Sequence, residues 1–233
     1  MIRLFDMIRI IFFLLLSLSI SLGQAQSVSK GSPGNGSLQK AAKLPYRGLG
    51  YRYFSPLSYY VLRRGFVHQK VKQTVLAAYK ACEAEMPKRK FRLMECSKRK
   101  GGPMKPHRTH QNGMSVDFMT PLQKKGKAFQ ALDRLGIWHY LLTFDGQAQW
   151  RINPKVKIDY ETMARHIMAL DDAAKRNGLK IKKVIFKVAL QPALFQGTYG
   201  KKLKRRGIYF VRKLSPLIDN LHDDHYHIDF AFR

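Results

Sequence analysis

Two histidine-rich stretches constrain this chain more than any other feature. They are His107-Arg108-Thr109-His110-Gln111-Asn112-Gly113-Met114-Ser115-Val116-Asp117 and His222-Asp223-Asp224-His225-Tyr226-His227. Of the chain's eight histidines, five lie in these segments. The stretches are about 110 residues apart, so only a tertiary fold can unite them. The spacing of His225 and His227 suits a strand, in which residues two apart share one face. Tyr226, Ile228 and Phe230 then point the other way, into a core. A strand predicted over Met114 to Met119 places Ser115, Asp117 and Met119 on one face. His110 sits at the end of the preceding loop, where Gly113 lets the chain turn so that His110 and Asp117 converge. The seven-residue gap between those two is too long for a helical pair.

Imidazole and carboxylate together are zinc ligands. A histidine and Asp117 from the first stretch, with one histidine from the second, make a three-ligand set. Three protein ligands leave a fourth position for water, which marks a catalytic rather than a structural site. Hydrolysis at such a site also needs a base for the water proton and a donor for the oxyanion. The second stretch holds two histidines more than the ligand set requires, and a structural zinc site has no use for them.

The start of the chain reads as a targeting segment. Arg3 and Arg9 precede an apolar run from Ile10 to Leu22. Gly23-Gln24-Ala25 offers small residues at the −3 and −1 positions of a cut before Gln26. The run is shorter than the roughly 20 residues a spanning helix needs, which disfavours an uncleaved anchor. Export permits disulfides, and Cys82 and Cys96 are expected to pair. The net charge of +28 falls only to +27 without Arg3, Asp6 and Arg9. That balance implies a polyanionic neighbour, and outside the inner membrane anionic wall and lipid head groups fit it. No nucleic-acid partner is expected, because aromatics do not interleave with the basic runs.

The rest of the pattern predicts an α+β fold: a small, mostly antiparallel sheet with flanking helices. Ser27 to Leu44, rich in Gly, Ser, Asn and Lys, reads on composition as a flexible leader. Helices are expected over Phe66 to Glu85 and Asp159 to Asn177, the second with Asp159 as N-cap and Gly178 as terminator. Strands are expected over Phe91 to Cys96, Lys182 to Val188 and Asp224 to Phe232. A hairpin is expected over Ile137–Phe144 and Gln147–Ile152, around Asp145-Gly146. Ser97 to Asn112 reads as loop, and Leu194 to Leu221 is poorly patterned apart from a basic helix.

His110 and Asp117, with His225-Tyr226-His227, resemble the paired motif of the lysostaphin, D-alanyl-D-alanine peptidase and hedgehog superfamily of zinc peptidases. Gly101-Gly102-Pro103, the His107 to Gly113 segment, Val116-Asp117 and the His222 to His227 segment are similar to the penicillin-insensitive murein endopeptidases. So is Gly31-Ser32-Pro33-Gly34-Asn35-Gly36, which would make the leader part of the fold. The resemblance implies a hedgehog/D-Ala-D-Ala peptidase-like fold and Zn2+ held by His110, Asp117 and His227. It implies His225 as base or electrostatic partner of the water, and His222 as transition-state stabiliser. The implied substrate is peptidoglycan, cut at its peptide cross-links in the periplasm.

The expected organisation is a signal peptide over 1–25, an N-terminal extension over 26–45 and a zinc peptidase domain over 46–233. No membrane span is expected once the signal is cut. The alternatives are a D-Ala carboxypeptidase of the same fold and a non-enzymatic, basic wall-binding protein. His107 and Asp229 are placed near the site, His68 on the surface, and His139 and His166 in structural roles.

Overall fold

The computed structural model describes residues 26–233 of the chain; the expected signal peptide lies outside them. The fold is α+β. Its centre is a six-stranded sheet with the spatial order Leu179–Ile185, His225–Phe232, Ser115–Met119, Phe91–Leu93, Tyr51–Tyr53 and Arg47–Gly48. All neighbours run antiparallel except Tyr51–Tyr53 and Phe91–Leu93, which are parallel. The two strands carrying the motifs are central neighbours, and their register sets His227 opposite Asp117 and His225 opposite Met119.

Alternation gives the sheet two faces. Tyr226, Ile228, Phe230, Val116 and Phe118 point to one side and are buried. Helices Gln69–Glu85 and Tyr160–Arg176 cover that side, with Tyr79 and His166 packed on Phe118. The second helix starts as expected: the Asp159 side chain accepts from the Thr162 N–H. Covering an apolar sheet face stabilises by roughly 25 cal/mol per Å2 removed from water, which makes this layer the main source of stability.

The sequence-derived boundaries shift at several places. Phe66 and Val67 form a short strand before the first helix, which is capped by His68. His68 is buried rather than on the surface, because its Nε2 lies 2.8 Å from the Ser27 carbonyl under the N-terminal segment. The strand expected over Lys182 to Val188 runs instead from Leu179 to Ile185, directly after the Gly178 turn. The basic helix exists, at Thr198–Arg205.

Three expectations are overturned. First, Ser27 to Leu44 is not a tether. Val28–Ser32 and Asn35–Gln39 form a hairpin with Leu38 and Leu44 buried. Composition missed this because the hairpin's backbone bonds to the motif loop, which no local pattern encodes. Second, Ile137 to Leu142 is not a hairpin arm. Gly136–Leu141 is a 3₁₀ helix, and only Phe144 bridges Trp150, although Asp145 does nucleate the turn by accepting from Gln147 and Gln149. Neighbouring residues His139 and Tyr140 both face Asp224 and His225, which a period-two strand cannot arrange. Third, Cys82 and Cys96 are both free thiols. Cys82 sits on the helix layer near Glu85 and Arg165. Cys96 lies within electrostatic reach of Glu95 and Asp117. Burial pushes the Cys82 thiol up to about 12, so little reactive thiolate is available for a bridge.

Candidate metal and catalytic site

The second sheet face carries Ser115, Asp117, His225, His227 and Asp229. Register alone brings Asp117 and His227 together: His227 Nδ1 lies 2.8 Å from Asp117 Oδ1. On its other side, His227 Nε2 lies 2.7 Å from Asp229 Oδ1. Asp229 also accepts from Ser115 Oγ at 2.5 Å and pairs with Lys183 at 3.2 Å. Burial opposes a charge on His227, but the flanking Asp229 and Asp117 push it up to about 10.

His110 reaches the same place from a loop. Its backbone is left-handed, with φ 69°, which is uncommon for a residue with a side chain and costs free energy. Its carbonyl accepts from the Ser97 hydroxyl, which in turn accepts from the Gly113 N–H. Gly113 is required there: at φ 75° a Cβ would sit 2.6 Å from Leu38 Cδ2 and 2.9 Å from the His68 nitrogen. The N-terminal hairpin holds the outer side of this loop. Gln111 N–H donates to the Pro33 carbonyl and Gly102 N–H to the Gly36 carbonyl, at 2.9 and 3.1 Å.

At the centre, His110 Nε2 lies 3.1 Å from Asp117 Oδ2, and the two imidazole rings of His110 and His227 stand 4.7 Å apart. Among the described residues, the ring nitrogens of His110 and the Oδ2 of Asp117 are buried with no partner beyond the close approach of Nε2 and Oδ2 to each other. Buried polar atoms rarely go unpaired, so two ligand atoms set side by side here could hold a cation. Burial alone would raise the Asp117 carboxyl, yet His110 and His227 beside it hold it well below the usual carboxylate range. The carboxylate is therefore ionised, as a ligand must be.

His107 is nearer to this point than sequence reasoning placed it. His107, His110 and Asp117 offer three ligand atoms within 4.8 Å of one another. His107 Nδ1 stands 3.7 Å from Asp117 Oδ2, while its Nε2 meets Glu95 Oε2 at 2.5 Å. Glu95 is buried and accepts from Ser58 at 2.8 Å, and Arg64 Nη1 donates to both of its carboxylate oxygens, at 3.0 and 2.9 Å. Nothing in the local pattern of Glu95 or Arg64 announces this; they reach the site only through sheet pairing and loop packing.

His225 and His222 lie on the near side of the same face, their rings 4.7 Å apart. His225 Nδ1 is 2.5 Å from Asp224 Oδ1, and His139 Nε2 is 3.1 Å from the Asp224 carbonyl. Burial pushes Asp224 up to about 8 and His225 down to about 4, so this pair favours its uncharged forms. His222 Nδ1 donates to the Ile218 carbonyl at 2.6 Å, and burial followed by His225 lowers this imidazole to about 3. The geometry thus separates the histidines into a group around Asp117 and a neutral pair beside it. His139 and His166 are buried; His166 Nδ1 contacts the Tyr226 hydroxyl behind the sheet at 2.5 Å.

The fold and site define an α+β protein with a buried imidazole–carboxylate cluster that could hold a metal ion, next to two unspent histidines. The chain matches the model of the penicillin-insensitive murein endopeptidases over residues 29–232, and it belongs to that family. A comparison with curated proteins gives no match. Family membership makes it a hydrolase of the murein-endopeptidase kind, with peptidoglycan as the substrate of the family. Among the described residues, no helix is long and apolar enough to cross a membrane.

Proposed function

We propose that the protein is an exported, periplasmic zinc endopeptidase that hydrolyses peptide cross-links of peptidoglycan on a hedgehog/D-Ala-D-Ala peptidase-like scaffold. The observation that carries this reading is the buried, unpartnered donor set of His110 and Asp117 facing His227. His110, Asp117 and, once it gives up the proton that its two carboxylate neighbours favour, His227 would hold Zn2+, which when bound lowers the pKa of a water toward about 7 and polarises the scissile carbonyl. Residues 1–25 serve as the signal peptide. The net charge of +28, which falls only to +27 without Arg3, Asp6 and Arg9, favours approach to an anionic wall.

The neighbouring residues supply the proton chemistry. Asp224 orients His225 through Nδ1, and His225 Nε2 makes no hydrogen bond to protein. His225 is the base: it takes the proton of the attacking water and returns it to the leaving amine. The imidazolium that forms in turn favours ionisation of Asp224, which burial alone opposes. His222 stands beside it as a stabiliser of developing charge, and it can act so at Nε2 only when protonated, since its Nδ1–H is given to Ile218.

A second reading of the ligand set rests on the close grouping of His107 with His110 and Asp117. The Glu95 contact argues that His107 is instead held at the edge of the site. Metal analysis of His107→Ala and His227→Ala decides between them: the proposal expects metal in the first and none in the second. Digestion of purified peptidoglycan with and without a chelator, with products read by mass, tests the activity. Chelator-sensitive release of cross-linked fragments supports an endopeptidase; loss of terminal alanine alone supports a carboxypeptidase; no product leaves a wall-binding protein.

A further inference from the structure

We propose that Tyr140 is a catalytic residue, its hydroxyl donating to the oxyanion formed when the cross-link carbonyl is attacked. The inference rests on the peptidase reading above.

A carbonyl attacked by water needs a hydrogen-bond donor where negative charge develops. The histidines near His225 do not offer one in their neutral forms. The Nδ1–H of His222 is spent on the Ile218 carbonyl, which leaves a lone pair at Nε2. His225 is engaged by Asp224 at Nδ1, and in the role of base it accepts, rather than donates, at Nε2. His107 gives its Nε2 side to Glu95.

Tyr140 supplies what is missing. Its ring stands edge-on to His225, centroids 5.5 Å apart, and edge-on to Phe54 at 5.8 Å on the other side. The ring is thereby held between the site and the sheet. Its hydroxyl is buried and has no hydrogen-bond partner among the described residues. A buried phenol normally finds an acceptor, and forgoing one costs about 1–3 kcal/mol. The charged groups that raise it are those of the site. Burial acts first, then Glu95, Asp117 and Asp224, all of which keep the phenol protonated and so able to donate. The 3₁₀ geometry of Gly136–Leu141 is what presents His139 to the Asp224 carbonyl and Tyr140 to His225 from consecutive positions.

The step balances without further reagents. The water oxygen bonds to the carbonyl carbon, and its proton goes to His225 Nε2. The carbonyl π pair moves to oxygen, which accepts from the Tyr140 O–H. On collapse the C–N bond breaks and the amine leaves with the proton from His225.

Tyr140→Phe removes the hydroxyl and keeps the ring packing. The expected result is kcat on purified cross-linked muropeptides lowered about 10²- to 10³-fold, with KM, metal content and melting temperature unchanged. The variant should also lose affinity, by a similar factor, for a phosphinate isostere of the cross-link, but not for the cleaved product peptide. An active wild type with Tyr140→Phe within about threefold of it overturns the assignment. So does a variant that loses metal or folding, which would make Tyr140 structural. A wild type that cleaves no cross-linked muropeptide sinks the peptidase reading as well, so the two failures are distinguishable.

Discussion

The two motif segments reach the same site by opposite means. His225 and His227 sit on a central strand, where pairing with Ser115–Met119 fixes which residues meet and which face they take. His110 sits on a loop with a left-handed backbone, braced by Ser97, Gly113 and a hairpin some 75 residues earlier. The strand specifies position through register, which a one-residue slip would invert for every side chain. The loop specifies position through strain and borrowed contacts, which can loosen gradually. The strand half should therefore respond to mutation in steps, and the loop half in degrees.

The largest expected effect is at the centre, where both halves meet. His110→Ala, Asp117→Ala and His227→Ala are each expected to empty the metal site and to abolish cleavage, read by metal analysis and peptidoglycan digestion. Full metal occupancy in any one of them would remove that residue from the ligand set.

Next come the two surplus histidines. His225→Ala and His222→Ala are expected to lower turnover by about 10²- to 10³-fold while metal content and folding stay near normal. His227 lies two residues from His225 on the same strand, so the contrast between them tests register directly. If His225→Ala emptied the site and His227→Ala kept it, the roles of the pair would have to be exchanged.

The loop half is probed through its brace. Leu38 is buried in the hairpin against Gly113. Leu38→Ala is expected to cost about 2–5 kcal/mol of stability by the usual cavity penalty. It should also weaken metal retention partially rather than abolish it, measured by denaturant titration and by competition with a chelator. A variant as destabilised as expected but with wild-type metal affinity would show that the hairpin does not position His110.

A smaller effect lies behind the strand. His166 is buried among Tyr79, Phe91 and Phe118, and burial lowers its pKa to about 3. The unfolded chain has a histidine of ordinary pKa near 6.5, so it binds a proton first as pH falls. Stability is unaffected by this group above about 6.5 and is lost between there and about 3, at up to roughly 1.4 kcal/mol per pH unit. His166→Gln is expected to flatten that part of the acid limb in a urea-melt series. An unchanged slope would mean that His166 does not control it.

The smallest expected effect is that of reductant. With Cys82 and Cys96 both free, thiol labelling of the unfolded, unreduced protein should find two thiols, and reductant should leave the melting temperature unchanged.

Much of this was legible in the residues themselves. The period-two pattern of His225-Tyr226-His227 and Met114 to Met119 gave the two strands and the faces of their side chains. Asp159, Gly178 and the apolar spacing between them located the second helix to within a residue at each end. These signals are local: a pleat, a cap and a helical stripe depend on neighbours in sequence. The histidine and carboxylate set stood out for a related reason, since few side chains can ligate a metal and five of the eight histidines are concentrated there.

What the tertiary structure decided is what depends on neighbours in space. Composition made Ser27 to Leu44 look like a tether, because its partners are loop carbonyls and amides that any sequence supplies. The cysteines looked close enough in sequence to pair, yet in the fold both are buried, unbridged thiols. Glu95 and Arg64 became part of the site only when pairing and loop packing delivered them to it. His139 and Tyr140 lost their strand because two consecutive side chains had to face one place. Local chemistry chose which groups were available; the packing of distant segments chose which of them could share one small, water-poor space.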